Sequence, residues 1–283
     1  MKLLMFTKML KDIGNLTLEE AGDRVAEMGF DGADLTVRPG GYVLPEEASE
    51  RLCSAIETLR SRGLIVPLIT TSITDPSEGH AEDIFRASSE CEVEFIKLGY
   101  WQYEGLGKIR SQIERAREQL KGIRELSEEY GVTAALHTHS GLFLTADPAV
   151  VIMLLQDHDP EHICAYVDPG HMVAQCGPTG WEMGLDLLSP YIRLVAVKNF
   201  WHFREMSEKA GEGRWQRRML PLRERIVPWP SVFRSLKDIG FDGNASVHSE
   251  YEGLTLQELL ERTRDDLAYL RDVMMETAQK GGD

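Results

Sequence analysis

Cysteine is scarce in this chain of 283 residues. Cys53, Cys91, Cys164 and Cys176 are scattered without a CxxC pair, so a disulfide framework is not expected and a reduced, cytoplasmic setting fits them best. Long apolar runs are missing too: nothing reaches the ~18 residues of a membrane span, so no membrane partner is expected. The opening Met1-Lys2-Leu3-Leu4-Met5-Phe6 is followed by Lys8 and Lys11 too early for a secretory leader and reads as a first strand. Positive charge is in deficit, with 31 Lys and Arg against 46 Asp and Glu. The formal charge of −15 repels a phosphate backbone, so no nucleic-acid partner is expected. No GxGxxG follows the first strand and no P-loop occurs, which removes the usual phosphate cradles of open nucleotide-binding sheets. Linkers and low-complexity tracts are lacking as well, so residues 1–283 are read as a single domain.

What is present is a repeat of apolar strand-like run, loop and amphipathic helix, the pattern of parallel β/α units. The strand candidates are Leu3 to Lys8, Gly32 to Val37, Ile65 to Ile73, Phe95 to Gly99, Thr133 to His139, Ile163 to Asp168, Leu194 to Asn199 and Ala245 to Tyr251. Thr17 with Glu20, Pro45 and Thr255 mark helix starts, while Gly29, Gly63, Gly131 and Gly240 mark helix ends. Eight such units predict an α/β fold, a (β/α)8 TIM barrel whose site lies at the C-terminal ends of its strands.

Chemistry-bearing residues gather at those ends. His137, His139, His171, His202 and His248 lie at or after strands five to eight, whereas His80, His158 and His162 sit in polar contexts and read as surface residues. Asp168 ends strand six, with His171 following across Pro169-Gly170, and Glu250 lies two residues beyond His248, on the same face of a continuing strand. His137, Asp168, Glu250 and His171 form a mixed nitrogen and oxygen set suited to one divalent metal ion. Mn²⁺ is the first expectation, with Co²⁺, Zn²⁺, Fe²⁺ or Mg²⁺ as alternatives. Lys198 ends strand seven among apolar neighbours, where a lysine can act as a base or polarise a carbonyl. Tyr100, Trp101, Trp201 and Phe203 cluster near strand ends, and Trp101 and Trp201 are read as platforms for a sugar. Arg38, before Pro39-Gly40-Gly41, is read as a substrate clamp, and His248 as a substrate contact or core residue.

The runs Val167-Asp168-Pro169-Gly170-His171, Val197-Lys198-Asn199, Val227-Pro228-Trp229-Pro230-Ser231-Val232-Phe233, Gly240-Phe241-Asp242-Gly243 and His248-Ser249-Glu250 resemble the xylose isomerase-like TIM barrel superfamily. That superfamily includes sugar isomerases and epimerases, inosose and dehydroshikimate dehydratases and type 2 apurinic endonucleases. The resemblance implies one divalent metal held by Glu, Asp, His and Glu from strands five to eight. Asp168 and Glu250 match two of these, His137 stands at the strand-five position and Ala196 at the strand-seven position. His137-Thr138-His139-Ser140-Gly141 looks like the His-x-His-x-Gly form of the inosose dehydratases.

The implied function is a metal-dependent isomerase or epimerase of a small keto-sugar or polyol, with Glu250, His139, His171 and Lys198 as catalytic residues. A dehydratase or lyase, and a non-catalytic sugar-binding protein with a degenerate site, are the alternatives. A homodimer is a further expectation of the resemblance.

Overall fold

The computed structural model describes residues 1–206 and 213–279. Its elements run β1 (Lys2–Phe6), α1 (Lys8–Asp12), α2 (Leu18–Met28), β2 (Gly32–Thr36), α3 (Ala48–Arg60), β3 (Ile65–Thr70), α4 (Ala81–Glu90), β4 (Phe95–Lys97), α5 (Ile109–Tyr130), β5 (Thr133–His137) and α6 (Pro148–Leu155). They continue through β6 (Ile163–Val167), α7 (Pro169–Cys176), α8 (Gly180–Leu188), β7 (Ile192–Val197), β8 (Phe200–Met206), β9 (Gly213–Met219), α9 (Trp229–Asp238), β10 (Asn244–Val247) and α10 (Leu256–Gln279). The parallel strands close in the order β1-β10-β7-β6-β5-β4-β3-β2, the barrel anticipated from the repeat. An antiparallel hairpin, β8 with β9, stands outside the barrel between β7 and α9 and has no counterpart in the sequence reading.

Strand periodicity sorts the side chains into two layers. Leu4, Leu68, Ala135, Cys164, Tyr166, Leu194 and Ala196 pack inside the barrel with Phe95 against them. Their neighbours along the chain, such as Leu3, Met5, Ile96, Leu136, Val167 and Val195, turn outward to the helices. The same parity carries Lys97, His137 and Lys198 inward, two residues beyond Phe95, Ala135 and Ala196. The lower interior is therefore apolar and the upper layer titratable. Asp34 also points inward and is fully buried, where its carboxylate accepts from Thr70 Oγ1 (2.7 Å) and Ser246 Oγ (2.9 Å).

Local chemistry fixes the frame. Thr17 and Glu20 form a reciprocal capping box at α2. Gly29, Gly63, Gly131 and Gly240 all take positive φ after their helices, as expected. Pro45 opens a short 3-10 turn (Pro45–Glu47) ahead of α3. The β2–β3 register shifts between Gly32 and Asp34, and the skipped β3 residues include Pro67, which has no N–H to give a ladder.

Candidate active site

The expected strands five and eight overrun the observed ones. The β5–β6 register ends with His137 opposite Tyr166, after which the His139 N–H turns to Thr145 O within its own loop. β10 stops at Val247, and the Glu250 N–H donates to the His248 carbonyl in a tight turn. His139 and Glu250 are consequently loop residues, not continuations of a strand face, because the chain must turn toward the next helix. Both still come to the mouth.

A cavity of about 130 Å³ at the C-terminal mouth is lined by Arg38, Lys97, Tyr100, His137, His139 and Glu250, together with Phe6, Lys8, Thr70, Tyr166, Lys198 and His248. Asp168 and His171 lie buried against Lys198. Trp101 and Trp201 are not brought to the cavity. Trp101 is buried in the core and donates from Nε1 to Gln119 Oε1 (2.7 Å), while Trp201 packs partly buried on the same core. A larger hollow of about 540 Å³ sits at the other end of the barrel, lined by Arg60, Ile65, Glu94 and Asn244, and none of its lining residues is a histidine.

Lys198 is the hub. Its Nζ lies 3.1 Å from His171 Nε2, 3.2 Å from Asp168 Oδ2 and 3.3 Å from Glu250 Oε2. Burial opposes its charge, yet Asp168 and Glu250 outweigh that and raise its pKa above the ordinary lysine value. For Glu250, burial likewise resists ionisation, but Lys198 first, with Lys8 and Arg217, holds the carboxyl well below its usual range.

Hydrogen bonds fix two imidazole tautomers. His171 Nε2 accepts from the Lys198 ammonium, so its Nδ1–H donates to Ser140 Oγ (2.8 Å). His139 Nδ1 faces the carbonyl of Ser140 at 2.9 Å, and a carbonyl only accepts, so Nδ1 carries the proton and Nε2 keeps its lone pair. Burial first, and then the charge of Lys198, bring the His139 pKa down to about 4, so this ring is neutral at physiological pH. His248 Nε2 pairs with Tyr166 OH (3.0 Å) and its ring stacks on Phe6. His137 Nδ1 pairs with Tyr100 OH (2.8 Å).

Lys97 and Asp34 escaped the sequence reading. Lys97 is buried with Nζ 3.6 Å from the Tyr100 ring centroid, and burial followed by the nearby Arg38 charge pulls its pKa well below the ordinary value. A cation inside the apolar run Phe95 to Gly99 was the available signal. Asp34, inside Gly32 to Val37, was equally visible as a charge in a strand.

The expected divalent ion does not fit this arrangement. In its favour, His137 Nε2 and Asp168 Oδ2 are buried, 3.4 Å apart, and have no hydrogen-bond partner among the described residues. Against it, the lone pair of His171 Nε2 is taken by Lys198, whose ammonium lies within 3.3 Å of donor atoms on Asp168, His171 and Glu250. Among the described residues no cluster of three or more His, Cys, Asp and Glu is arranged to hold a metal ion. The structure brings His137, Asp168, Glu250 and His171 together, with His137 Nε2 3.4 Å and His171 Nε2 3.7 Å from Asp168 Oδ2, but a side-chain cation stands in their midst. Ala196, inward-facing and fully buried, offers no donor one layer below.

A closed parallel barrel with its titratable cluster at the C-terminal mouth defines the TIM-barrel class. The chain belongs to the xylose isomerase-like TIM barrel family, whose family model matches residues 23–273. Among solved structures, a xylose isomerase-like TIM barrel protein from Mycobacterium smegmatis in complex with magnesium is similar, with 16% identity and a TM-score of 0.67 over 98% of this chain and 97% of that one. D-psicose 3-epimerase from Clostridium cellulolyticum, solved with D-tagatose, is similar at 16% identity and a TM-score of 0.66, covering 97% of this chain and 99% of that one. A probable 3-DHS dehydratase from Bacillus anthracis is similar at 17% identity and a TM-score of 0.67, covering 95% of this chain and 99% of that one. No curated protein sequence matches the chain. No helix among the described residues is long and apolar enough to cross a membrane.

Proposed function

We propose that this protein is an enzyme that moves a proton on the carbon next to the carbonyl of a small keto-sugar or polyol-derived ketone, as an isomerase or epimerase. The observation that carries the reading is a pairing of opposite groups at one cavity: the ammonium of Lys198, held charged by two carboxylates, and the neutral His139, whose Nε2 keeps its lone pair and makes no hydrogen bond among the described residues. A fixed cation polarises a carbonyl and a histidine can remove an α-proton only in its neutral form, and a mouth that offers both lowers the barrier to an enediolate. Arg38 and the Lys198 ammonium would face the oxygen on which negative charge grows.

His139 would take the α-proton at Nε2 as the C–H electron pair moves into the enediolate double bond. Return of that proton to the neighbouring carbon, with the hydroxyl proton passing to the former carbonyl oxygen, gives the isomer, whereas the epimer forms when a proton reaches the original carbon from the face opposite His139. Glu250 is anchored as a carboxylate by Lys198 and Lys8, which suits it to orient hydroxyl groups more than to carry protons. Manganese has no part in this reading, since Lys198 stands among the ligands expected for it. The activities of the similar epimerase and dehydratase structures support the substrate class.

Incubation of the protein with a panel of keto-sugars and inososes in D₂O, followed by mass spectrometry and NMR, tests the proposal. Deuterium at the α-carbon with the rest of the mass retained is the expected result. Loss of water from the same panel would instead assign the dehydratase alternative, and no exchange with any member would contradict the proposal.

A further inference from the structure

We propose that Lys198 serves as a built-in cation in place of the divalent metal ion that members of this fold family hold, so that this protein assembles its site without a metal. The inference concerns the charge of the site and stands apart from which ketone is turned over.

Charge balance supports it first. The two carboxylates at the hub, Asp168 and Glu250, already face two ammonium groups: Lys198 Nζ reaches both, and Lys8 Nζ lies 3.6 Å from Glu250 Oε1. The nearest ring nitrogen, His171 Nε2, lies 3.1 Å from the same ammonium and accepts from it. A dication entering this cluster would meet an ammonium about an ion-pair distance away, in a buried setting where like charges repel strongly.

Shape supports it independently. The lysine stem passes over Gly170, where a Cβ would stand 3.0 Å from Lys198 Cγ, from Lys198 O and from Asp168 Oδ1. The Asp168-Pro169-Gly170-His171 turn is cut to admit that stem, and Lys198 is 2% exposed at its end. Ala196 on the same face leaves the lower position empty of any competing ligand. His171 Nε2 and Glu250 Oε2 accept from the one ammonium while Asp168 Oδ2 faces it as an ion-pair partner at 3.2 Å, with Ser140 holding the His171 ring in the tautomer that accepts.

The test measures binding and not turnover. Wild-type protein, freed of metal by dialysis against chelator, and its Lys198→Ala variant are titrated with Mn²⁺ alone, with free ion read by electron paramagnetic resonance and bound ion by elemental analysis. The wild type is expected to take up Mn²⁺ only in the millimolar range or more weakly. Lys198→Ala removes the ammonium and frees His171 Nε2, Asp168 Oδ2 and Glu250 Oε2, so its affinity is expected to rise by ~100-fold, the scale of one removed buried like charge. Uptake of one Mn²⁺ per wild-type chain at micromolar concentration would overturn the proposal, as would equal affinity in the two proteins. Should the variant fail to fold, wild-type uptake alone decides between the same two outcomes. Loss of ketone exchange in a wild type that binds no metal tightly would count against the function and leave the metal-free site intact.

Discussion

At Asp168 the two carboxylate oxygens have separate partners: Oδ1 accepts from the His171 N–H and caps α7, while Oδ2 faces Lys198 at 3.2 Å. A capping role and a charged role are therefore both present. Asp34 is the other buried carboxylate of the barrel interior, and burial pushes its pKa from 3.8 up to about 7 against the opposing bonds from Thr70 and Ser246. A carboxyl with a raised folded pKa keeps a proton that the unfolded chain releases, so its contribution to stability is full below the unfolded value and is lost as pH rises through about 7. The histidines act in the opposite sense, since their depressed values favour the folded chain as pH rises toward 6.5. Comparing wild type with Asp34→Asn isolates the carboxyl. In urea denaturation from pH 4 to pH 8, the wild type is expected to lose stability steadily relative to the variant, and a constant difference across that range would refute the assignment.

The ends of elements were the least legible part of the sequence. His137, Asp168, Lys198 and Glu250 could be picked out because an ionisable group at the end of an apolar run has few reasons to be there. Direction was harder: Trp101 and Trp201 also follow barrel strands, but Trp101 turns into the core and Trp201 packs against it from β8, and an aromatic ring is stable in either place. Nor could sequence show that Lys198 points its nitrogen at His171, Glu250 and Asp168 instead of out along the rim. The hairpin of β8 and β9 went unread although Phe200-Trp201-His202-Phe203 and Trp215-Gln216-Arg217-Arg218 carry strand-forming aromatics beside long polar side chains. Helix starts were legible because their signals are local. The Thr17 side chain accepts from the Glu20 N–H while Glu20 returns a bond to the Thr17 N–H at 2.9 Å. Thr17→Ala is expected to destabilise the protein by about 1 kcal/mol in chemical denaturation, with no change in ketone exchange. A loss of exchange at unchanged stability would show that α2 has a role beyond scaffolding.

Over the whole molecule, the barrel separates holding from reacting. Apolar side chains fill the lower interior, the outward row packs on the helices, and the upper interior collects the charges. The chain carries −15 overall, yet Lys8, Arg38 and Lys198 gather at the mouth against Glu250 and Asp168, so the local balance of charge is opposite in sign to the molecule's net charge. That contrast fits a site built to receive growing negative charge on an oxygen. The central claim is that His139 Nε2 is the base working against the Lys198 cation. Its most direct test is the rate of α-deuterium exchange from D₂O in His139→Ala, measured with and without added imidazole. Exchange is expected to fall by about 10²–10⁴-fold, the usual worth of a positioned base, and to recover in part as imidazole enters the vacated space. Exchange in the variant at the wild-type rate would contradict the account.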